Sequence, residues 1–177
     1  MFCYNKPMKL IILNGAPGVG KSTVAEKLHA ELPLSFLIVI DAWWKQISNW
    51  RESRKESQRL VYKIASVSID AYLEEGKDVI VDKAILNDIK TLDELVGVGE
   101  KHGAEVYELV LMASKEVVLE RATQRGFNKQ GLLTPEEAEK LWELSQDLKE
   151  TRPNAVVIDT TFLSPEEVYE KVRGVVL

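Results

Sequence analysis

Short apolar runs and segments of helical periodicity alternate along this chain. Five runs are rich in valine, isoleucine and leucine, which is typical of strands that are buried on both faces. They cover residues 10–13, 36–40, 79–81, 105–112 and 155–158. The pattern therefore predicts five short strands separated by longer segments of another kind.

Helical periodicity fills the intervals between these runs. Apolar residues recur at steps of four, three and four in the series Leu60, Ile64, Val67 and Ala71, which predicts a long helix that ends before Gly76. Further helices are expected over residues 21–32, 89–102 and 115–124, and from residues 135 and 165 onward. Strands that alternate with helices predict an α/β fold with a parallel sheet covered on both faces.

The last two predicted helices carry strong start signals. The segments TPEE at residues 134–137 and SPEE at residues 164–167 each place a hydroxyl residue before a proline, with glutamate three positions on. This is the capping box, in which the hydroxyl and the glutamate satisfy amide groups that the first helical turn leaves open.

Composition narrows the class of protein. The 177 residues are 45% hydrophobic and 29% charged, which excludes disorder over most of the length and fits one domain. The longest unbroken apolar run has five residues, so no membrane-spanning segment is predicted. Residues 1–7 lack a signal-peptide layout and are expected to be a flexible N-terminal extension of a single domain at 8–177. One cysteine, Cys3, excludes an intrachain disulfide, and the cytoplasm is the default compartment.

The segment GAPGVGKS at residues 15–22 fits the P-loop pattern G-x-x-x-x-G-K-[ST] and lies between a predicted strand and a predicted helix. Its glycines let the backbone curl so that successive N–H groups face phosphate oxygens, and the helix dipole adds to the attraction. Lys21 would place its charge on the β- and γ-phosphates, and Ser22 would place its hydroxyl on Mg²⁺. The alternative, a glycine-rich turn followed by an incidental Lys-Ser, does not explain this position. We expect the nucleotide to be bound by Gly15, Ala16, Pro17, Gly18, Val19, Gly20, Lys21, Ser22 and Thr23.

Two aspartates end predicted strands. Asp82 follows the third strand, where a carboxylate beside a P-loop can hold Mg²⁺ together with Ser22. Asp41 follows the second strand and can accept the proton of an attacking hydroxyl, which makes it a candidate catalytic base. The alternatives are a surface-turn aspartate for Asp82 and, for Asp41, an N-cap of a helix over residues 42–52.

Arg121 and Arg125 lie four residues apart, directly before the glycine-containing stretch 126–133. Basic residues ahead of such a break suit a lid over a triphosphate, which we place at about residues 115–150. The alternative is a solvated helix end whose cations complement the helix dipole.

Aromatic and basic residues follow Asp41. Trp43, Trp44 and Trp50 are equally compatible with a substrate pocket and with a core or partner contact. The basic residues between 51 and 59 alternate with glutamates, which favours a solvated helix face over an anion site. A formal net charge of −5 argues against nucleic acid as a partner.

The P-loop, Asp41, Asp82, the arginine pair and the late segment VVIDT at residues 156–160 together resemble the small P-loop kinases of the nucleoside-kinase superfamily. The closest patterns are those of the AAA-type ATP-binding kinases, chloramphenicol phosphotransferase, gluconate kinase and shikimate kinase. The resemblance covers residues 9–176. The chain differs in having few basic residues in 126–133 and in lacking the glycine pair of shikimate kinase after the third strand.

The resemblance implies a sheet order of 2-3-1-4-5, a helical lid, and ATP with Mg²⁺ as the phosphoryl donor. It implies that Asp41 acts as the base and that Asp82 binds the metal. It further implies that Arg121 packs on adenine, that Arg125 contacts phosphate as part of the catalytic set with Lys21, and that Thr160 borders adenine.

These features predict an ATP-dependent phosphotransferase that acts on the hydroxyl of a small alcohol or sugar-like molecule. The alternatives are a nucleoside-monophosphate kinase, a polynucleotide 5′-hydroxyl kinase, a kinase acting on a nucleotide sugar, and a non-catalytic nucleotide-binding switch. A switch does not need a base for an acceptor, so Asp41 favours the enzyme.

Overall fold

The computed structural model describes residues 7–86, 88–124, 126 and 133–177. Its strands are β1 (Lys9–Asn14), β2 (Phe36–Val39), β3 (Val79–Asp82), β4 (Glu105–Met112) and β5 (Val156–Asp159). All neighbouring strands are parallel, and the sheet order is β2-β3-β1-β4-β5. The predicted five-stranded parallel sheet is therefore confirmed, and so is the order that the family resemblance implies.

Helices connect consecutive strands. In the described residues they are α1 (Lys21–Glu31), α2 (Ile40–Trp44), α3 (Arg54–Glu74), α4 (Ile89–Lys101), α5 (Lys115–Gln124), α6 (Pro135–Gln146), α7 (Leu148–Thr151) and α8 (Pro165–Val176). Both predicted capping boxes form, with Thr134 and Ser164 each accepting a hydrogen bond from the main-chain N–H of the glutamate three residues on.

The sheet separates two apolar layers, and alternate residues of β1 face each of them. Ile11 and Leu13 pack with α1, α5 and α8 on one face, whereas Leu10 and Ile12 pack with α2, α3 and α4 on the other. Every residue of β1 is buried. The carboxyl end of β1 therefore carries the P-loop at the centre of the sheet, between β3 and β4.

The long helix α3 has apolar residues on two faces, and the face marked by the predicted series is exposed. Ile64 and Val67 are 52% and 62% exposed, while the buried face carries Val61, Ala65 and Ile69. Both sets follow steps of three or four, so periodicity predicts the helix without identifying which set packs against the sheet.

The backbone after β2 differs from the expectation for Asp41. The strand ends at Val39, and Asp41 lies inside the short helix α2 rather than at an N-cap. No helix covers residues 42–52, because α2 ends at Trp44 and turns follow it. The alternative reading of Asp41 as the cap of such a helix is therefore wrong.

The domain boundaries stay predictions. Residues 1–6 of the predicted extension lie outside the described residues, and Pro7 is exposed ahead of β1. Helices α5, α6 and α7 fall within the region expected to form the lid. No helix among the described residues is long and apolar enough to cross a membrane.

Candidate functional site

The loop between β1 and α1 depends on glycine at its first position. Gly15 has a φ of 133°, and a Cβ atom there would lie 2.1 Å from the main-chain oxygen of Leu111. No other L residue fits that space without moving the backbone of β4. The glycine thus lets the end of β1 pass close to the neighbouring strand before the loop turns into α1.

The amino end of α1 is arranged to receive an anion. Gly20 is its N-cap with a φ of 103°, and within the described residues no side chain caps the first turn and no acidic residue lies in it. The N–H groups of this turn remain available, and the helix dipole favours negative charge at this end. Lys21 Nζ donates hydrogen bonds to the carbonyl oxygens of Gly15 at 2.9 Å and Ala16 at 2.8 Å, which holds the ammonium over the loop. Ser22 is exposed beside it.

Asn14, which sequence reasoning missed, joins the P-loop to the segment after β3. Its side chain is 2% exposed. Asn14 Oδ1 accepts hydrogen bonds from the main-chain N–H groups of Gly15 and Ile85, each at 2.8 Å, and Asn14 Nδ2 donates to the carbonyl oxygen of Ile85 at 2.7 Å. The one available signal was an amide residue directly after an apolar strand. These bonds fix where the loop leaves the sheet.

Asp82 lies at the end of β3, next to the P-loop strand. It pairs in register with Leu13 of β1 and with Val39 of β2. The residue is 6% exposed, and its carboxylate has no hydrogen-bond or ion-pair partner within the described part of the chain. A carboxylate oxygen at this strand end, next to the P-loop strand, is the kind of ligand that Mg²⁺ prefers, so the position fits a metal ligand.

The donor set fits Mg²⁺ better than a metal held by protein alone. No group of three or more histidine, cysteine, aspartate or glutamate side chains among the described residues could hold a metal ion. Mg²⁺ commonly takes one or two protein ligands, with phosphate oxygens and water in the remaining positions. Asp82 and the exposed hydroxyl of Ser22 supply that number.

Asp41 is held by Lys83, a residue that sequence reasoning did not single out. Lys83 Nζ forms an ion pair and a hydrogen bond with Asp41 Oδ1. The lysine side chain is 11% exposed and the aspartate side chain is 58% exposed. Because β3 lies between β1 and β2, the pair bridges the strand of Asp82 and the end of β2, and Asp41 lies across β3 from the P-loop. The signal that could have identified Lys83 was an opposite charge directly after a neighbouring strand.

Trp44 is a buried side chain that packs beside this pair. The indole is 7% exposed, its Nε1 donates a hydrogen bond to Ser57 Oγ at 2.7 Å, and its ring centroid lies 5.0 Å from that of Trp50. Lys83 Nζ lies 5.4 Å from the Trp44 ring. Trp43 packs instead toward Phe36, with ring centroids 6.0 Å apart. Trp44 therefore belongs to a buried apolar core, and Trp43 and Trp50 are partly buried against the same core, which favours the core interpretation of the three tryptophans.

The basic residues of segment 51–59 make two kinds of contact. Arg59 pairs with Glu56 on the exposed surface, as a solvated helix face would predict. Arg51 and Arg54 lie over the rings of Trp50 and Trp44, with guanidinium carbons 5.0 and 5.5 Å from the ring centroids. Cations that cover aromatic faces bring positive charge toward the Asp41 side of the site.

Tyr62 supplies a buried phenol on the same side. Burial raises its pKa well above the ordinary value, and the negative charges of Asp41 and Asp88 raise the pKa further. Tyr62 therefore stays protonated and neutral at physiological pH.

A cleft on the other side of the P-loop is bordered by Arg121 and the loop after β5. Arg121 Nη1 lies 3.2 Å from Thr160 Oγ1, and Arg121 Nη2 donates to the carbonyl oxygens of Thr160 at 3.0 Å and Leu163 at 3.4 Å. The structure thus brings Arg121 and Thr160 together. The cleft is lined by Gly18, Val19, Gly20, Thr23, Arg121 and Leu163, among others. Thr160 is itself buried, so Arg121 contributes the polar edge of a largely apolar cleft.

Helix α6 of the predicted lid region contacts the end of β4 and the start of α5. Trp142 Nε1 of α6 donates a hydrogen bond to the carbonyl oxygen of Ala113 at 2.9 Å, and Lys115 pairs with Glu139. Ala138 is fully buried. Arg125 lies outside the described residues, as do residues 127–132 of the predicted glycine-containing break.

The parallel sheet of this order, the P-loop after its central strand and the buried carboxylate on the adjacent strand define a P-loop nucleotide-binding fold. A family model described as "AAA domain" matches residues 10–142, a span that includes the P-loop, Asp41, Asp82 and Arg121. The chain belongs to this AAA domain family.

Individual proteins agree with this assignment. A curated protein of Thermococcus kodakarensis named "Putative adenylate kinase" is 26% identical over 174 residues, which cover 94% of this chain and 85% of that protein. The thymidylate kinase of Candida albicans has a TM-score of 0.71 at 16% identity, covering 96% of this chain and 91% of its own. A gluconokinase of Sinorhizobium meliloti 1021 has a TM-score of 0.68 at 17% identity, covering 93% and 89%. The two structures share the fold of this chain.

Proposed function

We propose that this chain is an ATP-dependent kinase that transfers the γ-phosphoryl group to a hydroxyl of a small, sugar-like molecule. The observation that carries the proposal is the place of Asp41. Its carboxylate is largely exposed and lies across β3 from the P-loop. A carboxylate there accepts a hydrogen bond from an acceptor hydroxyl.

The donor side would bind the triphosphate of ATP. The main-chain N–H groups of residues 15–23, apart from Pro17, which has none, would surround the phosphates. Lys21 would exchange its contacts with the carbonyl oxygens of Gly15 and Ala16 for phosphate oxygens. Ser22 and Asp82 would hold Mg²⁺, which would supply positive charge to offset that of the phosphates. Adenine fits the cleft beside Arg121 and Thr160, whose mutual hydrogen bonds keep that wall in place.

The acceptor side would orient one hydroxyl. Phosphoryl transfer passes through a loose transition state, so alignment of the attacking oxygen matters more than the strength of the base. Asp41 takes the hydroxyl hydrogen bond and receives the proton as the new P–O bond forms and the bond to ADP breaks.

A nucleoside-monophosphate kinase is the second candidate. It is favoured by the curated relatives, several of which carry the name "Putative adenylate kinase". It is also favoured by Arg51 and Arg54, which lie over the rings of Trp50 and Trp44. Those cations could receive a phosphate. The two candidates differ in the acceptor and not in the donor side.

The deciding experiment measures ATP consumption with D-gluconate, D-ribose, nucleosides, AMP, dTMP and a 5′-hydroxyl oligonucleotide. We expect a neutral or sugar-like alcohol to be phosphorylated fastest. Asp41→Asn should keep the affinity for ATP and reduce transfer to that alcohol by about 10²–10⁴-fold, the range for loss of a general base. Lys21→Ala should instead weaken the binding of ATP or abolish turnover. If AMP or dTMP is the fastest acceptor and Asp41→Asn retains full transfer, the monophosphate kinase replaces the proposed function.

A further inference from the structure

Lys83 is an unusual partner for a surface carboxylate because most of its own side chain is buried. Only 11% of its side chain is exposed, against 58% for Asp41. Its ammonium lies 5.4 Å from the ring of Trp44, and its main-chain N–H lies 3.3 Å from the carbonyl oxygen of Leu13. The second contact holds the backbone of Lys83 beside the P-loop strand β1.

A lysine whose methylene chain is packed against the protein keeps its charged end directed toward a counter-charge or water. Within the described residues the counter-charge of Lys83 is the carboxylate of Asp41. Ordinary surface pairs contribute little because two long side chains must be ordered at once. Here the cation is already ordered by packing, so the pair fixes the aspartate at small entropic cost.

The pair also selects which oxygen of Asp41 faces the acceptor. Lys83 occupies Oδ1, and Oδ2 has no partner among the described residues. A carboxylate held by one oxygen presents the other in a defined direction. Because Lys83 directly follows Asp82, that direction is set relative to the strand that carries the proposed Mg²⁺ ligand.

We propose that Lys83 is the positioning residue of Asp41: it holds Oδ1 so that Oδ2 receives the acceptor hydroxyl in line with the γ-phosphate. The inference rests on the proposed function, since it needs Asp41 to contact the acceptor. It assigns Lys83 no contact with ATP. A purely structural pair would stabilise the fold without affecting the acceptor step.

The test is a double-mutant cycle on Asp41 and Lys83. Lys83→Met, Lys83→Arg, Asp41→Asn and the double variant Asp41→Asn/Lys83→Met are assayed with D-gluconate, D-ribose and AMP. ATP affinity and urea unfolding are measured for each. Lys101→Met is the matched control, because Lys101 also pairs with an aspartate, Asp70, but on an exposed surface at the end of α4.

We expect Lys83→Met to lower kcat/KM for the acceptor by about 10–10²-fold, the loss typical of a misplaced reacting group, while the Kd for ATP stays unchanged. Lys83→Arg should recover part of the activity, because it keeps the charge. In the Asp41→Asn background the Lys83→Met change should have no further effect. Lys101→Met should match the wild type in every measurement.

Two results would overturn the role of Lys83 alone. One is that Lys83→Met lowers kcat/KM for the acceptor by the same factor in the wild type and in the Asp41→Asn background. The other is that a folded Lys83→Met protein keeps full activity with the acceptor. If Lys83→Met does not fold, the cycle is run with Lys83→Arg, and a loss that persists in the Asp41→Asn background contradicts the inference. Two other outcomes would overturn the proposed function as well. If Asp41→Asn is fully active, or if no probe is phosphorylated faster than ATP is hydrolysed, the proposed function fails and the positioning role fails with it.

Discussion

Asn14 gives the sharpest test of how the P-loop is held. Its side chain makes three hydrogen bonds of 2.7–2.8 Å, to the N–H groups of Gly15 and Ile85 and to the carbonyl oxygen of Ile85. Ile85 is 2% exposed, so water does not readily replace the lost partners. Asn14→Ala therefore leaves up to three buried main-chain groups unsatisfied.

The expected loss of stability follows from that count. A buried donor or acceptor without a partner costs about 1–3 kcal/mol. Allowing for partial relaxation, Asn14→Ala should lower the free energy of unfolding by about 3–5 kcal/mol. That is a large part of the 5–15 kcal/mol typical of a domain. ATP affinity should fall as well, because Gly15 loses the contact that fixes the start of the loop.

Urea unfolding followed by tryptophan fluorescence and by circular dichroism measures the stability, and calorimetry measures ATP binding. Asn154→Ala is the control, because Asn154 is exposed and should change stability by no more than about 0.5 kcal/mol. A loss below about 1 kcal/mol for Asn14→Ala, at an unchanged m-value, would refute the reasoning that these bonds hold the loop.

Three further predictions concern other parts of the fold. In urea unfolding, Gly99→Ala should lower the free energy of unfolding by about 1–3 kcal/mol, because its Cβ would lie 2.7 Å from Val106 Cγ2. Gly97→Ala, whose Cβ would meet no atom within 4 Å, should raise the free energy of unfolding by about 0.5–1 kcal/mol. Asp82→Asn should raise the Mg²⁺ concentration for half-maximal rate; an unmoved titration would contradict metal binding. Hydrogen bonds from Thr161 lower the pKa of Asp159 below 3.8. Its stabilising effect is therefore complete above that pH and is lost on acidification, so Asp159→Asn should matter less in acid unfolding.

The predicted P-loop lies between β1 and α1, as expected from the sequence, while the roles of its residues in nucleotide binding stay predictions. The P-loop is a local motif, and its glycines and lysine act through the backbone conformation of one loop. The two capping boxes were equally readable, since each is complete within four residues. The geometry of such local motifs can be predicted from the sequence, because the residues that interact are neighbours in the chain.

Sequence reasoning was weaker where an element offers two solutions. The helix α3 was predicted from the series that contains Ile64 and Val67, yet the structure buries the set that contains Val61 and Ala65. Asp41 was placed near the right sheet edge, but the short helix α2 and the turns after it were not foreseen. In both cases packing against the sheet decides, and single-sequence periodicity does not contain that information.

The five strands, their alternation with helices and the P-loop could be predicted from the sequence, because these depend on spacing within short segments. Which distant residues come into contact depends on the fold as a whole. Asn14 and Ile85 are 71 positions apart, Asp41 and Lys83 are 42 apart, and Arg121 and Thr160 are 39 apart. Each contact exists because parallel strands bring their carboxyl ends to one edge, and the strand order, not the distance along the chain, determines which ends are neighbours.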